Sequence, residues 1–103
     1  MAEWITMGKA EQIPEGEAVA FDVNGREIAV GRSNGALYAF SDICTHRGCN
    51  LANGGEIEGS EIECECHGSV FDMGSGEVIN GPAMEPIQTF GVSDDGGELR
   101  VEV

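Results

Sequence analysis

All four cysteines and both histidines of this 103-residue chain fall in two short runs. The first is Cys44-Thr45-His46-Arg47-Gly48-Cys49, and the second is Cys64-Glu65-Cys66-His67-Gly68-Ser69. A thiolate sulfur and a neutral imidazole nitrogen are the side-chain donors that soft and borderline transition metals prefer. One residue separates Cys44 from His46, and two separate Cys64 from His67, so each run offers one thiolate and one imidazole to a shared centre.

Three readings compete for that pattern. A binuclear iron-sulfur cluster accepts mixed donors when two histidines replace two cysteines on one of its irons. The plant-type arrangement, Cys-x4-Cys-x2-Cys, is not met, because Cys44 and Cys49 have the first gap and no cysteine follows at the second. Tetrahedral zinc takes two cysteines and two histidines. Its usual spacing groups like with like, whereas each run here mixes one of each. The third reading, buried cysteines beside unrelated surface histidines, requires six residues to fall into two matching runs by accident.

The two runs resemble the signature of the Rieske iron-sulfur proteins, Cys-x-His, a spacer, then Cys-x2-His, and the turn-rich strand pattern extends the resemblance over nearly the whole chain. The resemblance implies one [2Fe-2S] cluster, with Cys44 and Cys64 on the inner iron and His46 and His67 on the outer, more exposed one. Cys49 and Cys66 stand where Rieske proteins of cytochrome bc complexes carry a disulfide between the two loops. Many soluble Rieske ferredoxins lack that pair, and a cytosolic protein seldom keeps a disulfide, so a bridge and two free thiols both remain open. Ser69 matches a serine whose hydroxyl bonds a cluster sulfur, whereas Phe71 stands where those proteins place a tyrosine that bonds a ligand cysteine. With one of the two donors missing, the resemblance implies a reduction potential in the lower half of the Rieske span of about −150 to +300 mV.

Composition narrows the function further. The length suits one small domain over residues 1–103, whose modest core a metal centre or a disulfide would help to stabilise. Nineteen acidic against five basic residues, net −14, argue against nucleic acid, which needs a cationic surface. Such a surface steers association with basic patches on protein partners, although acidity also serves plain solubility. The N-terminal Met1-Ala2-Glu3-Trp4 has neither a basic n-region nor an apolar h-region, and no stretch approaches a membrane span. A soluble cytoplasmic monomer is expected.

The elements that must hold the two runs read as short strands. Ile5 and Met7 lie in a first strand, before a polar segment with Pro14 and Gly16 turns the chain. Val19, Phe21 and Val23 alternate with Ala18, Ala20 and Asp22, and Asn24-Gly25 then predicts a type I′ turn that sets Phe21 opposite Ile28 and Val19 opposite Val30. Asn34-Gly35 marks a second turn before Leu37, Tyr38 and Phe40, which deliver the chain to Cys44. After the Asn53-Gly54-Gly55 turn, residues 56–64 alternate acids with Ile57 and Ile62, as a solvated strand face would. Val70 and Phe71, then Val78 and Ile79, form brief strands around the Gly74-Ser75-Gly76 turn. Gly81-Pro82-Ala83 resembles the proline loop that covers the cluster in the Rieske family, and also reads as an ordinary turn. Ile87, Phe90 and Val92 lead to an Asp94-Asp95-Gly96-Gly97 hairpin loop and to Leu99, Val101 and Val103. The expected fold is all-β: about nine or ten short strands in an antiparallel Rieske-type sandwich or barrel, with two cluster-binding loops at one end.

The functional expectation follows. Rieske oxygenases add a mononuclear iron on two histidines and a carboxylate, and both histidines here are already assigned; no Gly-x-Gly-x-x-Gly run serves a flavin or nicotinamide. The chain is therefore expected to be no enzyme but a one-electron carrier. The resemblance implies partners: a flavoprotein ferredoxin reductase using NAD(P)H, and a terminal ring-hydroxylating dioxygenase in aromatic hydrocarbon catabolism. The runner-up is a small Rieske subunit bound permanently to a larger oxidoreductase, which Ser69 and the Cys49, Cys66 pair favour. Arg47 is the one cation in the first run, and its role is docking or plain solvation.

Overall fold

A computed structural model describes residues 3–45, 48–66 and 68–103. Ten strands run in the order β1 (Trp4–Lys9), β2 (Ala18–Val23), β3 (Arg26–Ser33), β4 (Ala36–Ser41), β5 (Glu56–Glu58), β6 (Glu61–Glu63), β7 (Val70–Asp72), β8 (Val78–Asn80), β9 (Thr89–Asp95) and β10 (Glu98–Glu102). Among the described residues, helix is limited to one 3-10 turn, Ala10–Gln12.

Turn chemistry sets the registers. Asn24 and Gly25 have φ of 53° and 84°, the left-handed pair that a type I′ turn requires. This places Phe21 opposite Ile28 and Val19 opposite Val30, as the alternation predicts. Asn34 and Gly35 repeat the device between β3 and β4. The hairpin loop expected at residues 94–97 is tighter than four residues, because β9 continues through Asp95 and the turn is Gly96-Gly97 alone.

The strands form two antiparallel sheets. One has six strands in the order β1-β10-β9-β4-β3-β2, and the other has four, β5-β6-β7-β8. Ile5 and Met7 of one edge strand and Val19 and Phe21 of the other pack on the same buried group, which includes Ile28, Val30, Leu99 and Val101. The large sheet therefore curls until its edges share a core and it is nearly closed. β3 is buried on both faces: Ile28 and Val30 serve that core, and Ala29 and Gly31 face the small sheet. A Cβ on Gly31 would sit 3.2 Å from Met73 Sδ and 3.3 Å from Ile57 Cδ1, so a bare backbone lets the sheets approach. Phe40, Ile62, Phe71 and Met73 fill the space between them.

Residues 56–64 differ from the single alternating strand that their acids suggest. Gly59, with φ of 60°, and Ser60 turn the segment into a β5–β6 hairpin. The physical reason lies in the parity of the apolar pair. Ile57 and Ile62 are an odd number of residues apart, so one strand would point them to opposite faces, whereas the hairpin pairs them directly, with Ile62 buried and Ile57 partly buried against the same group.

The turn after β7 is closed by Asp72. The Ser75 N–H, aimed at its carboxyl, holds the group below the usual aspartate range against the opposing effect of partial burial; the Gly74 N–H and the Ser60 and Ser75 hydroxyls add to the lowering. This contribution is fully present above the ordinary aspartate value and is lost as pH falls through the depressed folded value. Asp72→Asn is therefore expected to flatten the acid side of the stability profile below a pH of about 4, measured by denaturant unfolding at a series of pH values. An unchanged acid slope would show that the turn does not depend on this charge.

Candidate metal centre

The two cysteine and histidine runs occupy the β4–β5 and β6–β7 connections, and they share one backbone plan. In the first, the Cys44 N–H donates to the Cys49 carbonyl at 2.8 Å and the Gly48 N–H to the Cys44 carbonyl at 2.9 Å. In the second, the Cys64 N–H donates to the Ser69 carbonyl at 2.7 Å and the Gly68 N–H to the Cys64 carbonyl at 3.0 Å. Gly48 and Gly68 carry φ of 74° and 77°, a conformation in which glycine alone avoids a steric penalty. Each run is thus closed into a hairpin tip, with its leading cysteine at the base. Cys44 and Cys64 are each 2% exposed and join the buried group between the sheets.

The other two cysteines form a disulfide. Cys49 and Cys66 are bridged with their Cα atoms 6.6 Å apart, which decides between the two alternatives left open by the sequence. With its ends 17 positions apart in the chain, such a link stabilises the fold by about 3 kcal/mol in the chain-entropy account. The Cys64 sulfur lies within 4.8 Å of both disulfide sulfurs. The bridge therefore ties one hairpin tip to the other beside a candidate ligand.

A third segment touches both tips. The Ala83 N–H donates to Ser69 Oγ at 3.0 Å, and Thr45 Oγ1 donates to the Glu85 carbonyl at 2.6 Å. Ala83 and Ile87 are buried with Cys44 and Cys64, and Gly81-Pro82 is a cis peptide. Between the two attachments Met84 stands 92% exposed. Ser69 is fully buried. Its oxygen already accepts one hydrogen bond, so its hydroxyl hydrogen remains as a donor.

Of the residues selected from sequence, the structure brings Cys44, Cys64 and Ser69 to the bases of two matching tips. His46 and His67, with Arg47, lie outside the described residues. The sequence reading missed Asp42 and Asn50, which grip the first tip from below, and Thr45, which ties it to the 81–87 segment. Short polar residues beside a turn carry no signal that separates such roles from ordinary turn formation.

The donor set fits the group that the spacing suggests. Two cysteines outside the disulfide, buried in apolar surroundings at equivalent positions, suit the sulfur half of a mixed cluster. The surroundings are strongly acidic. In the β5–β6 hairpin Glu56 faces Glu63 and Glu58 faces Glu61 directly, a like-charge pairing that costs stability, and Glu65 extends the charge onto the second tip.

Residues 3–91 match the Rieske [2Fe-2S] domain model. The chain belongs to the Rieske [2Fe-2S] family. The ferredoxin component of the naphthalene 1,2-dioxygenase/salicylate 5-hydroxylase systems of a Ralstonia species is 38% identical over 89 residues, 86% of this chain and 85% of that one. The cytochrome b6-f complex iron-sulfur subunit of Chlorobaculum thiosulfatiphilum is 34% identical over 92% of this chain, which spans only 51% of that subunit. Among solved structures, a complex of reduced oxygenase and oxidized ferredoxin in carbazole 1,9a-dioxygenase contains a chain that superposes with a TM-score of 0.88 at 30% identity, covering 95% of this chain and 91% of its own. This Rieske protein is thus an electron carrier of the ferredoxin type rather than an enzyme, and its cofactor is one [2Fe-2S] cluster. No helix among the described residues is long and apolar enough to cross a membrane.

The disulfide makes a direct expectation. After removal of iron, alkylation of denatured, unreduced protein labels Cys44 and Cys64 alone, and labels all four cysteines once a reductant is added. Four labelled thiols without reductant would contradict the bridge.

Proposed function

We propose that this Rieske protein, one domain over residues 1–103, passes single electrons from a flavin-dependent NAD(P)H reductase to a terminal Rieske aromatic-ring dioxygenase in the cytoplasm. The observation that carries the reading is the pair of equivalent hairpin tips, each with a buried cysteine outside the disulfide and a histidine two or three positions further along. Cys44 and Cys64 would hold one iron, and His46 and His67 the other. When bound, the cluster supplies reversible uptake of one electron. The protein's own residues do the rest. Ser69 offers its remaining hydroxyl hydrogen to a sulfur, which favours the reduced state, while buried Phe71 has no hydroxyl to add. The potential then falls in the lower half of the span of about −150 to +300 mV.

Docking follows from charge and shape. A net charge of −14, dense on the hairpin beside the second tip, favours partners with basic faces and accelerates encounter. Met84, held out between two hydrogen-bonded attachments, supplies an apolar contact at the same end. The ferredoxin seen with its oxygenase in the carbazole system supports the oxygenase half of this reading, and the monomeric carrier state goes with exchange between two partners.

A second reading is favoured by one observation, the disulfide. It is unusual in the cytoplasm, and the similarity to a b6-f iron-sulfur subunit points the same way, so a fixed subunit of a larger oxidoreductase is the alternative. Reconstitution separates the two. Purified carrier, a flavoprotein reductase and a separate Rieske oxygenase are expected to give turnover whose rate falls several-fold between low and physiological salt. Salt-insensitive turnover, or activity only in a complex that co-purifies, would favour the fixed subunit.

A further inference from the structure

The two hairpin tips rest on different supports. The second stands on a regular ladder, with Glu63 opposite Val70 and Ile62 opposite Phe71. Below the first there is a single bridge, Ile43 opposite Asn50, and the next strand begins only at Glu56. One side chain takes over the missing ladder. Asp42 Oδ1 accepts the Ala52 N–H at 2.7 Å, and Oδ2 accepts Asn50 Nδ2 at 2.8 Å. Its carbonyl accepts the Leu51 N–H at 2.7 Å, and its own N–H donates to the Glu27 carbonyl at 2.9 Å. Three consecutive residues of the returning limb are thereby fixed to one residue of the outgoing limb, which is itself fixed to β3. The Asn50 amide directs a further hydrogen bond to Glu27 Oε1 at 3.0 Å.

Asp42 is 1% exposed and is the one carboxylate among the buried residues described, in a chain with nineteen acidic side chains. Burying such a group is costly unless its oxygens are hydrogen-bonded, and here both are. A charge-assisted acceptor of this kind holds geometry more tightly than a neutral one. It also leaves a fixed negative charge under the tip that carries Cys44.

We propose that Asp42 is a positioning residue for the electron-transfer centre. Its carboxylate replaces the absent ladder, fixes where Cys44 presents its sulfur, and opposes reduction electrostatically, so that the potential is held down. The inference rests on the ligand assignment proposed above.

The test uses the iron-loaded protein and three variants. Asp42→Asn keeps the shape, removes the charge and turns one of the two acceptors into a donor; Asn50→Ala keeps the charge and releases one oxygen of the clamp. Leu99→Ala, in the other buried group, is the control for simple loss of stability. Asp42→Asn is expected to shift the reduction potential upward and to move the EPR g-values of the reduced protein. Asn50→Ala, which keeps the charge, is expected to move the g-values without raising the potential. Leu99→Ala should lower the melting temperature and leave both readouts at wild-type values. If Asp42→Asn and Asn50→Ala only melt earlier, with wild-type potential and g-values, Asp42 is a structural clamp and the proposal fails. If Asp42→Asn does not fold, unmoved g-values in Asn50→Ala overturn the positioning role by themselves. A wild-type protein without a Rieske spectrum would instead strike the ligand assignment.

Discussion

The arrangement depends on holding two hairpin tips face to face although their leading cysteines are twenty positions apart in the chain. A metal site of mixed donors tolerates little error in the placement of each ligand, and flexible loops of this length would lose most of that precision to conformational entropy. Two constraints act against that loss. Each tip is closed by its own pair of backbone hydrogen bonds around a left-handed glycine, and the Cys49–Cys66 disulfide joins the tips covalently. The Ala83 and Glu85 contacts then hold a third segment against both.

The sheets explain why the tips can be small. β3 and β4 contribute alternate residues to two buried groups, one inside the curled sheet and one between the sheets. The second group continues without interruption from Ala29, Phe40 and Met73 up to Cys44 and Cys64. The candidate ligands are therefore the upper end of a packed core, and loops built on such a scaffold can carry function without a large domain behind them. The acidic β5–β6 hairpin shows the opposite tendency. Glutamates placed directly across a ladder cost stability, and that cost is consistent with a surface shaped for encounter with a partner rather than for folding.

Sequence legibility followed the range of the interaction concerned. The Asn24-Gly25 turn and its register were readable because a two-residue turn fixes pairing locally. The family was readable because few residue types bind these metals and the spacing of the two runs is characteristic. The hairpin within residues 56–64 was masked by acids that alternate as one strand would, although the Gly59-Ser60 dipeptide and the odd separation of Ile57 and Ile62 both pointed to a turn. Asp42 was illegible for a different reason. Its partners Asn50 and Ala52 lie eight and ten residues away, and nothing local distinguishes a carboxylate about to be buried from one left in water.

The central claim is ligation of one iron by two sulfurs and the other by two ring nitrogens, contributed equally by the two tips. Pulsed EPR of the reduced protein labelled with nitrogen-15 histidine tests it most directly. Couplings from two histidine nitrogens, one lost in each of His46→Cys and His67→Cys, are the predicted result; a reduced iron signal with no histidine nitrogen coupling, or no iron signal after reconstitution, would contradict it.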